Sequence, residues 1–462
     1  MRNKALIIGG GISGLSAAYY LNKAGLQATV LERRPRVGGV IRTSTEQGCI
    51  LEEGPDGFMA AKPWAMNLIR ELGLADQVMG SNDHSRVTYI VKKGKLVPMP
   101  EGLMMMVPTK ILPLAETSLL SWSAKIRMGL EFFRQPPQRP LPDRSVYEFL
   151  LDHYGEECID YLAEPLLAGV YGGDPRDMSV NSVLARFVEI EKKYGSLTRG
   201  VLAAPRPPAS KGASGGSFLL TLKPGLGALI EALKPSADVI QANVETIERT
   251  GDSFRVRADG GWMEAEHVVL ATTACEAALI VRTLQPEVAN LLGAIPYTSS
   301  VTLSLGYLQR TFDHPLQGHG FLVPKKERKY IFGCTWVGNK FDHRVPANMV
   351  VLRCFLGGNV LSLSDEAIVE GARSDLHSLM GLEAQPVFHN IARWPNSMAQ
   401  YTVGHAERVE RIEELTRAIP GFYLAGNAYH GIGIPDCVRM GQEAAAKIIA
   451  SQASYTPTPQ PV

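Results

Sequence analysis

The sequence has few cysteines, no surplus of charge and no long apolar run. Its six cysteines are scattered through 462 residues without a C-x-x-C pair, which argues against a zinc site or a disulfide framework and suits a reducing compartment. Lys and Arg number 47 and Asp and Glu 46, a net charge of +1, so nothing indicates a nucleic-acid partner. No stretch approaches the ~18 apolar residues of a spanning helix. These absences predict a cytoplasmic globular protein.

Two catalytic motifs and a targeting segment are also missing. The sequence has no H-E-x-x-H motif and no phosphate-loop lysine motif, and its ten histidines do not cluster at metal-ligand spacing. Metal catalysis is therefore not expected. The first apolar run begins almost at the N-terminus, which leaves no room before it for a signal or transit peptide. The length suffices for two or three domains with a large core.

The most informative stretch is residues 5–32. An apolar run at 5–8 predicts a strand buried on both faces of a parallel sheet, and residues 9–14 (GGGISG) then fit G-x-G-x-x-G before a helical pattern. Such glycines let the main chain approach a pyrophosphate at a helix N-terminus. Glu32 follows Gly14 by 18 residues, where a carboxylate accepts from a ribose hydroxyl. The stretch predicts a dinucleotide site and leaves NAD and FAD open.

Three later glycine-rich stretches favour FAD. Gly38-Gly39 directly follows the acidic strand and suits a loop over a longer, folded-back cofactor. A Gly-Pro-x-Gly turn occupies residues 54–57, and a loop at 430–435 precedes an amphipathic helix predicted for 436–450, with Asp436 as its N-cap. The N-terminus of that helix, placed beside the flavin pyrimidine, would stabilise negative charge on the reduced ring.

These stretches resemble the FAD site of the amine-oxidase-like flavoproteins. Residues 164–180, which include EPLLAGVYGGDP, are similar to a segment of the protoporphyrinogen oxidases within that superfamily. The resemblance covers nearly the whole chain and implies an α/β fold (α+β overall), with a Rossmann-like FAD-binding domain, a mixed-sheet substrate domain and a helical subdomain. It implies non-covalent FAD, with Cys437 a packed thiol. The implied cofactor residues are Gly9, Gly10, Gly11, Ile12, Ser13, Gly14, Glu32, Arg33, Gly39, Val40, Gly54, Pro55, Asp56, Gly57, Val244, Gly426, Ile432, Gly433 and Ile434.

The predicted domains alternate along the chain. The FAD-binding domain takes residues 1–80, 206–285 and 396–453. A hairpin at 81–100 and residues 286–395 form the substrate domain, residues 101–205 form the helical subdomain, and 454–462 form a disordered tail. The apolar stretch at 100–130 predicts a buried bundle face, with peripheral contact on the inner face of the membrane as the alternative. A homodimer is a further hypothesis.

The resemblance also implies a reaction. It implies that protoporphyrinogen IX is oxidised to protoporphyrin IX in three flavin turnovers, with dioxygen reduced to peroxide. Flavin N5 carries the chemistry, so no catalytic side chain is predicted. Arg86, 12 residues before Pro98, matches the arginine that binds a propionate, Gly320 and Leu322 match ring contacts, and Phe355 is a candidate wall.

Three alternatives stay open. Coproporphyrinogen III carries four propionates, and a basic pocket lined by residues such as Lys92, Lys93 and Arg199 would favour it. An amine oxidase should have an aromatic cage near the flavin, whereas the C-terminal loop offers only Tyr429 and His430; a carotenoid desaturase belongs to the same group of rivals. A non-catalytic binding protein on this fold, such as a prenyl-GTPase dissociation inhibitor, would have lost the flavin contacts that this sequence keeps.

Overall fold

The computed structural model describes residues 4–83, 86–139, 141–203, 217–312 and 314–453. The predicted disordered tail at 454–462 and residues 204–216, a stretch rich in Pro, Gly and Ser, lie outside the described residues. The strands are β1 (Lys4–Ile8), β2 (Gln27–Glu32), β3 (Thr43–Glu46), β4 (Cys49–Glu52), β5 (Phe58–Met59), β6 (Val78–Gly80), β7 (Thr88–Lys92), β8 (Lys95–Pro98), β9 (Leu103–Met104), β10 (Val107–Pro108), β11 (Leu219–Leu222), β12 (Asp238–Gln241), β13 (Val244–Thr250), β14 (Ser253–Ala258), β15 (Gly261–Ala265), β16 (His267–Leu270), β17 (Tyr297–Leu308), β18 (Gly320–Leu322), β19 (Ile331–Trp336), β20 (Met349–Gly357), β21 (Phe388–Ala399) and β22 (Phe422–Leu424).

The helices are concentrated in the middle of the chain and at its C-terminal end. They are α1 (Ile12–Lys23), α2 (Pro63–Glu71), α3 (Ile111–Glu116), α4 (Trp122–Leu130), α5 (Val146–His153), α6 (Glu156–Cys158), α7 (Glu164–Tyr171), α8 (Val180–Val183), α9 (Ala185–Tyr194), α10 (Leu197–Ala203), α11 (Gly227–Leu233), α12 (Ala274–Ile280), α13 (Pro286–Gly293), α14 (Val337–Lys340), α15 (Asp365–Met380), α16 (His405–Arg417) and α17 (Ile434–Ala453). None of these helices is long and apolar enough to cross a membrane within the part of the chain that the structure describes.

A five-stranded parallel sheet carries the N-terminal glycine turn. Its strand order is β12-β2-β1-β16-β22, so neighbouring strands come from three distant parts of the chain. Leu6 and Ile7 of β1 point to opposite faces and are both fully buried, because a parallel sheet is covered on both sides. Helices α1 and α17 pack together so closely that a Cβ added to Gly441 would lie 2.2 Å from Ser13 O.

A seven-stranded mixed sheet forms the second large layer. Its order is β21-β17-β20-β19-β18-β7-β8, and among these described strands only β18 and β7 pair in parallel. The β7–β8 hairpin, which turns at Lys93-Gly94 with positive φ at both residues, therefore joins a sheet made mainly from residues 297–399. Because side chains alternate along a strand, Phe321, Cys334 and Cys354 point into a core that α15 covers. The opposite side of the sheet is left for other contacts.

Helices α3–α10 pack around a separate apolar core. The apolar stretch at 100–130 contains two helices, α3 and α4, and Ser121 caps α4 by accepting from Ala124 N. Leu114, Leu119 and Met128 are buried in this core, whereas other apolar residues of the same stretch are exposed. The predicted buried bundle face therefore accounts for only one side of these helices.

Candidate active site

The turn between β1 and α1 forms an open cradle. Gly9 has a φ of 106°, and a Cβ added to Gly14 would lie 2.0 Å from Gly9 O. Gly11 is the N-cap of α1, and a Cβ built there meets no atom within 4 Å. The N–H groups of residues 11–14 have no acceptor among the described residues. Four donors at the positive end of a helix dipole suit a pyrophosphate.

Glu32 lies at one end of this cradle. Its Oε2 accepts from Gly10 N at 2.7 Å and its Oε1 accepts from Arg34 N at 2.9 Å. The Glu32 carbonyl accepts from Ala242 N at 3.0 Å. The chain then enters β13 at Val244, so Glu32 and Val244 lie together at the edge where the resemblance implies the adenosine.

The loop after β2 crosses the cradle and leads to the Gly-Pro-x-Gly turn. A Cβ added to Gly39, whose φ is 58°, would lie 3.3 Å from Gly11 Cα. A Cβ added to Gly54 would lie 1.8 Å from Val40 O, so only glycine permits this approach. A continuous strip therefore runs from the cradle through Gly39 and Val40 to residues 54–57, which are called the cofactor turn below.

The C-terminal loop closes the other side. Gly426 has a φ of 138°, and a Cβ added there would lie 3.4 Å from Thr272 O. The preceding residue, Ala271, contacts Gly9, because a Cβ added to that glycine would lie 2.7 Å from Ala271 O. Ile432 and Gly433 precede α17, which packs on α1 beside the cradle.

The prediction that Asp436 caps α17 is wrong. The helix begins two residues earlier, at Ile434, because Pro435 has a fixed φ and a missing N–H that cost nothing in a first turn. Asp436 lies inside that turn, where a carboxylate favours the helix dipole. It also pairs with Lys62 at 2.6 Å.

Arg33, which the resemblance implies as a cofactor residue, and nearby Arg42 each have a protein partner of their own. Arg33 Nη1 lies 2.9 Å from Glu276 Oε1, with both side chains partly exposed. Arg42 Nε lies 2.8 Å from Oε2 of the buried Glu53. Cys437 is buried, and burial raises the pKa of its thiol to about 12. A thiol in that state is unreactive.

A partly buried group of charges includes Asp56 of the cofactor turn and is called the Asp56 cluster: Asp56, Lys340 and Arg353. Asp56 Oδ2 lies 2.7 Å from Lys340 Nζ and 3.2 Å from Arg353 Nη1, and Arg353 Nη2 donates to Gly54 O. Burial opposes ionisation of Asp56, but these two cations outweigh it and lower the pKa of the carboxyl to about 2. The cluster ties the cofactor turn to β20.

The inner side of the seven-stranded sheet forms an apolar face beside this cluster. The strand registers place Gly320 opposite Thr335 and Leu322 opposite Gly333, which in turn lies opposite Phe355. Gly320 has a φ of 140°, and a Cβ there would lie 1.9 Å from Cys334 O. This surface, called the substrate face below, consists of Gly320, Leu322, Gly333 and Phe355.

Helix α7 lies over the substrate face. A Cβ added to Gly169 would contact Leu322 Cδ2 at 3.4 Å. The helix ends at Gly172, which has the left-handed φ of 62°, and Gln400 Nε2 donates to Tyr171 O at 2.7 Å. The segment similar to that of protoporphyrinogen oxidases thus covers the face from above.

Arg86 lies at the rim of this face. His319 N donates to Val87 O at 2.8 Å, and Thr88 lies opposite Gly320, so Arg86 precedes the row that contains Gly320. Its guanidinium stacks on the Phe218 ring at 4.5 Å. It has no carboxylate partner within the described ranges, and an exposed guanidinium of this kind is free to bind one.

The whole chain has recognisable relatives. The family model for flavin-containing amine oxidoreductases matches residues 12–449. The chain belongs to this family. The coproporphyrinogen III oxidase of Bacillus subtilis is 32% identical over 96% of this chain and 97% of its own. Protoporphyrinogen oxidase 2 of Arabidopsis thaliana is 27% identical over 97% and 94%.

Solved structures give the same picture. One solved structure is that of a protein from Exiguobacterium sp. 255-15, which is provisionally named a protoporphyrinogen oxidase. Its TM-score to this chain is 0.87 at 31% identity, and the match covers 98% of this chain and 100% of that protein. A putrescine oxidase variant has a TM-score of 0.72 at 19% identity, covering 97% and 99%, which shows the shared fold alone. Within the family, this chain therefore groups with the porphyrinogen oxidases, and it is an oxidoreductase with FAD as cofactor.

The structure fits that cofactor. The four free N–H groups and the open space at Gly11 suit the pyrophosphate of FAD. Buried Oε1 of Glu53 has no donor among the described residues and could accept from a cofactor hydroxyl. FAD-binding residues predicted from the sequence are brought together from three parts of the chain, with Arg33 turned towards Glu276.

The sequence prediction missed the cations behind the cofactor turn. Lys340 and Arg353 are separated from Asp56 by 284 and 297 residues. A lysine at the end of a short helix and an arginine inside an apolar strand carry no local pattern that indicates a partner. An arginine in the otherwise apolar run VVLRCFLGG was the one available indication, because a buried charge requires a partner.

Proposed function

We propose that this chain oxidises a porphyrinogen to the porphyrin, with coproporphyrinogen III as the favoured substrate and dioxygen as the electron acceptor. One observation carries the proposal: the substrate face adjoins the cofactor turn and offers aliphatic and aromatic surface rather than an acid or a base. FAD supplies the hydride acceptor when bound. A porphyrinogen bridge carbon is activated by its two pyrroles, so the protein needs no strong general base.

The residues of the chain bind and orient the macrocycle in this proposal. Leu322 and Phe355 pack against pyrrole rings, while Gly333 between them leaves room for the rings. Helix α7 excludes water from above. Arg86 at the rim pairs with a propionate, since a guanidinium can hold a carboxylate with two hydrogen bonds.

The choice between two porphyrinogens rests on two opposing observations. Coproporphyrinogen III oxidases from Bacillus subtilis and Staphylococcus aureus are 32% and 30% identical to this chain, above the 27% of the Arabidopsis protoporphyrinogen oxidase. The contacts of two residues do not support the basic pocket hypothesised for four propionates. Lys92 pairs with Glu157 and Arg199 donates to Arg134 O, so both side chains already have protein partners. Protoporphyrinogen IX, the substrate predicted from the sequence, is therefore the second candidate.

A parallel assay separates these candidates. Purified protein is mixed with each porphyrinogen, first anaerobically and then in air, while flavin absorbance and porphyrin fluorescence are followed. We expect flavin bleaching with both compounds and faster turnover of coproporphyrinogen III. Faster turnover of protoporphyrinogen IX would reverse the order of the two candidates. A flavin that neither compound bleaches would contradict the proposed function and favour the amine oxidase alternative.

We also propose that the exposed side of α3 and α4 contacts a membrane surface. Trp122, Ile126 and Leu130 share one side of α4 at i, i+4 and i+8 and are 69%, 61% and 63% exposed, and Ile111 is 84% exposed. Lys125 lies over the Trp122 ring at 4.5 Å, so a cation borders the apolar surface. Apolar side chains flanked by lysine suit an anionic lipid interface.

Vesicle sedimentation tests this contact. The double variant Trp122→Glu/Ile126→Glu should lose binding to anionic phospholipid vesicles by about tenfold or more, because each buried apolar side chain contributes about 1.5–3 kcal/mol. Trp262→Glu, at a tryptophan that is 42% exposed on β15, is the matched control and should bind as the parent does. A vesicle-independent dimer that the double variant dissociates would instead assign this surface to a second copy.

A further inference from the structure

Arg353 contacts both halves of the site at once. It is 3% exposed, and its two terminal nitrogens hold Gly54 O and the Asp56 carboxylate of the cofactor turn. The same guanidinium lies over the Phe355 ring at 4.7 Å. One side chain on β20 therefore touches the cofactor turn on one side and an aromatic residue of the substrate face on the other.

The contact continues across the substrate face. Phe332 stacks on Phe355 with ring centroids 6.2 Å apart and an angle of 29°. Arg328 lies over the Phe332 ring at 5.5 Å and donates to Glu164 Oε1 of α7 at 2.9 Å. A row of Arg353, Phe355, Phe332 and Arg328 thus connects the cofactor turn to the helix that covers the face.

We propose that Arg353 is a positioning residue that sets the separation between the cofactor turn and the aromatic side of the substrate face. Its flat guanidinium can bind a carboxylate and a carbonyl while its plane rests on a ring, which an ammonium group cannot do. Asp56 pairs with it, so the buried cation has an anionic partner. Its Nε–H has no acceptor among the described residues, which leaves one donor for a group bound at the turn.

The inference rests on the proposed function for the identity of the substrate. The contact of Arg353 with the cofactor turn is independent of that function. FAD should stay bound when Arg353 is changed, because the cradle and the cofactor turn lie at opposite ends of the strip. What should change is the orientation of the flavin ring relative to Phe355. Small misplacements of reacting groups can reduce a rate by about 100-fold.

The test compares Arg353→Lys with Arg344→Lys. Arg344 is equally buried at 1% exposure, and it bonds to Glu52, Thr221 and Leu222 O, so it controls for the loss of a buried arginine. For Arg353→Lys we expect full FAD content, an altered visible circular dichroism spectrum of the bound flavin, and kcat lowered about tenfold or more with KM changed much less. Arg344→Lys should lose stability without altering the flavin spectrum.

Two results would overturn the inference: a flavin spectrum unchanged in Arg353→Lys, or the same spectral change in both variants. If Arg353→Lys does not fold, Asp56→Asn removes the carboxylate partner at nearly constant shape. It should give the same spectral change, and a parental spectrum there would equally contradict the inference. Because the spectrum needs no substrate, it decides the question even if the parent enzyme oxidises neither porphyrinogen.

Discussion

The cofactor cradle and the substrate face are built in opposite ways. The cradle uses backbone: four N–H groups and glycines that let segments approach within van der Waals distance, such as Gly39 on Gly11. The substrate face uses side chains from separate strands, held by long-range ion pairs such as Arg353 with Asp56. Backbone sites depend on a short local motif, whereas side-chain sites depend on strand register and on partners hundreds of residues away.

The strongest test of the backbone half is Gly11→Leu. A Cβ at Gly11 meets no protein atom within 4 Å, so the apoprotein should keep its thermal unfolding temperature. The larger side chain would fill the space of the pyrophosphate, and affinity for FAD should fall on the order of 100-fold, as expected for overpacking. Flavin content after purification and titration of apoprotein with FAD measure this. Gly129→Leu, at an exposed helical glycine that also has nothing within 4 Å, should bind FAD normally.

His405, which packs beneath the C-terminal loop, should make the free energy of unfolding depend on pH. His405 is 2% exposed, stacks on Tyr401 at 4.0 Å and binds Tyr429 O at 3.3 Å, and Tyr401 Oη accepts from Gly431 N in that loop. Burial lowers the pKa of His405 from 6.5 to about 4. As the pH falls, the unfolded chain therefore takes up a proton at His405 before the folded chain does. The contribution of neutral His405 to the free energy of unfolding is fully present above pH 6.5 and is lost as the pH falls towards 4.

This loss should reach about 3 kcal/mol of unfolding free energy at pH 4, since each pKa unit is worth about 1.4 kcal/mol. Urea unfolding at several pH values measures it. His405→Gln should flatten the dependence between pH 6.5 and 4, whereas His377→Gln, at an exposed histidine of α15, should keep it. An equal slope in all three proteins would contradict the role of His405.

The smallest effect is expected at the rim of the substrate face. Arg86→Ala should raise KM about tenfold with little change in kcat, because a propionate contact binds ground state and transition state alike and a charge-assisted hydrogen bond contributes about 1.5–3 kcal/mol. Steady-state kinetics with the better porphyrinogen measure the split. Arg255→Ala, at an arginine stacked on Trp262 at 4.4 Å, is the matched control. An unchanged KM would remove Arg86 from the site.

The same contrast explains what the sequence could predict. Residues 9–14 and Glu32 form a local pattern, and the predicted α/β fold with a mixed sheet is confirmed by the parallel and mixed sheets and by the family match, which also confirms FAD as cofactor. The start of α17 was misplaced because Pro435 starts a helix as readily as Asp436 caps one. Arg353 and Lys340 could not be paired with Asp56, since nothing local specifies which strands become neighbours.

The β7–β8 hairpin has a consequence for how the chain folds. In the seven-stranded sheet it pairs with β18, more than two hundred residues later, and β1 likewise shares its sheet with β22 near residue 422. Neither sheet can close until most of the polypeptide has left the ribosome, and such distant pairings slow folding. The N-terminal strands therefore lack part of their sheets until distant segments have been made, which lengthens the exposure of their apolar side chains during folding.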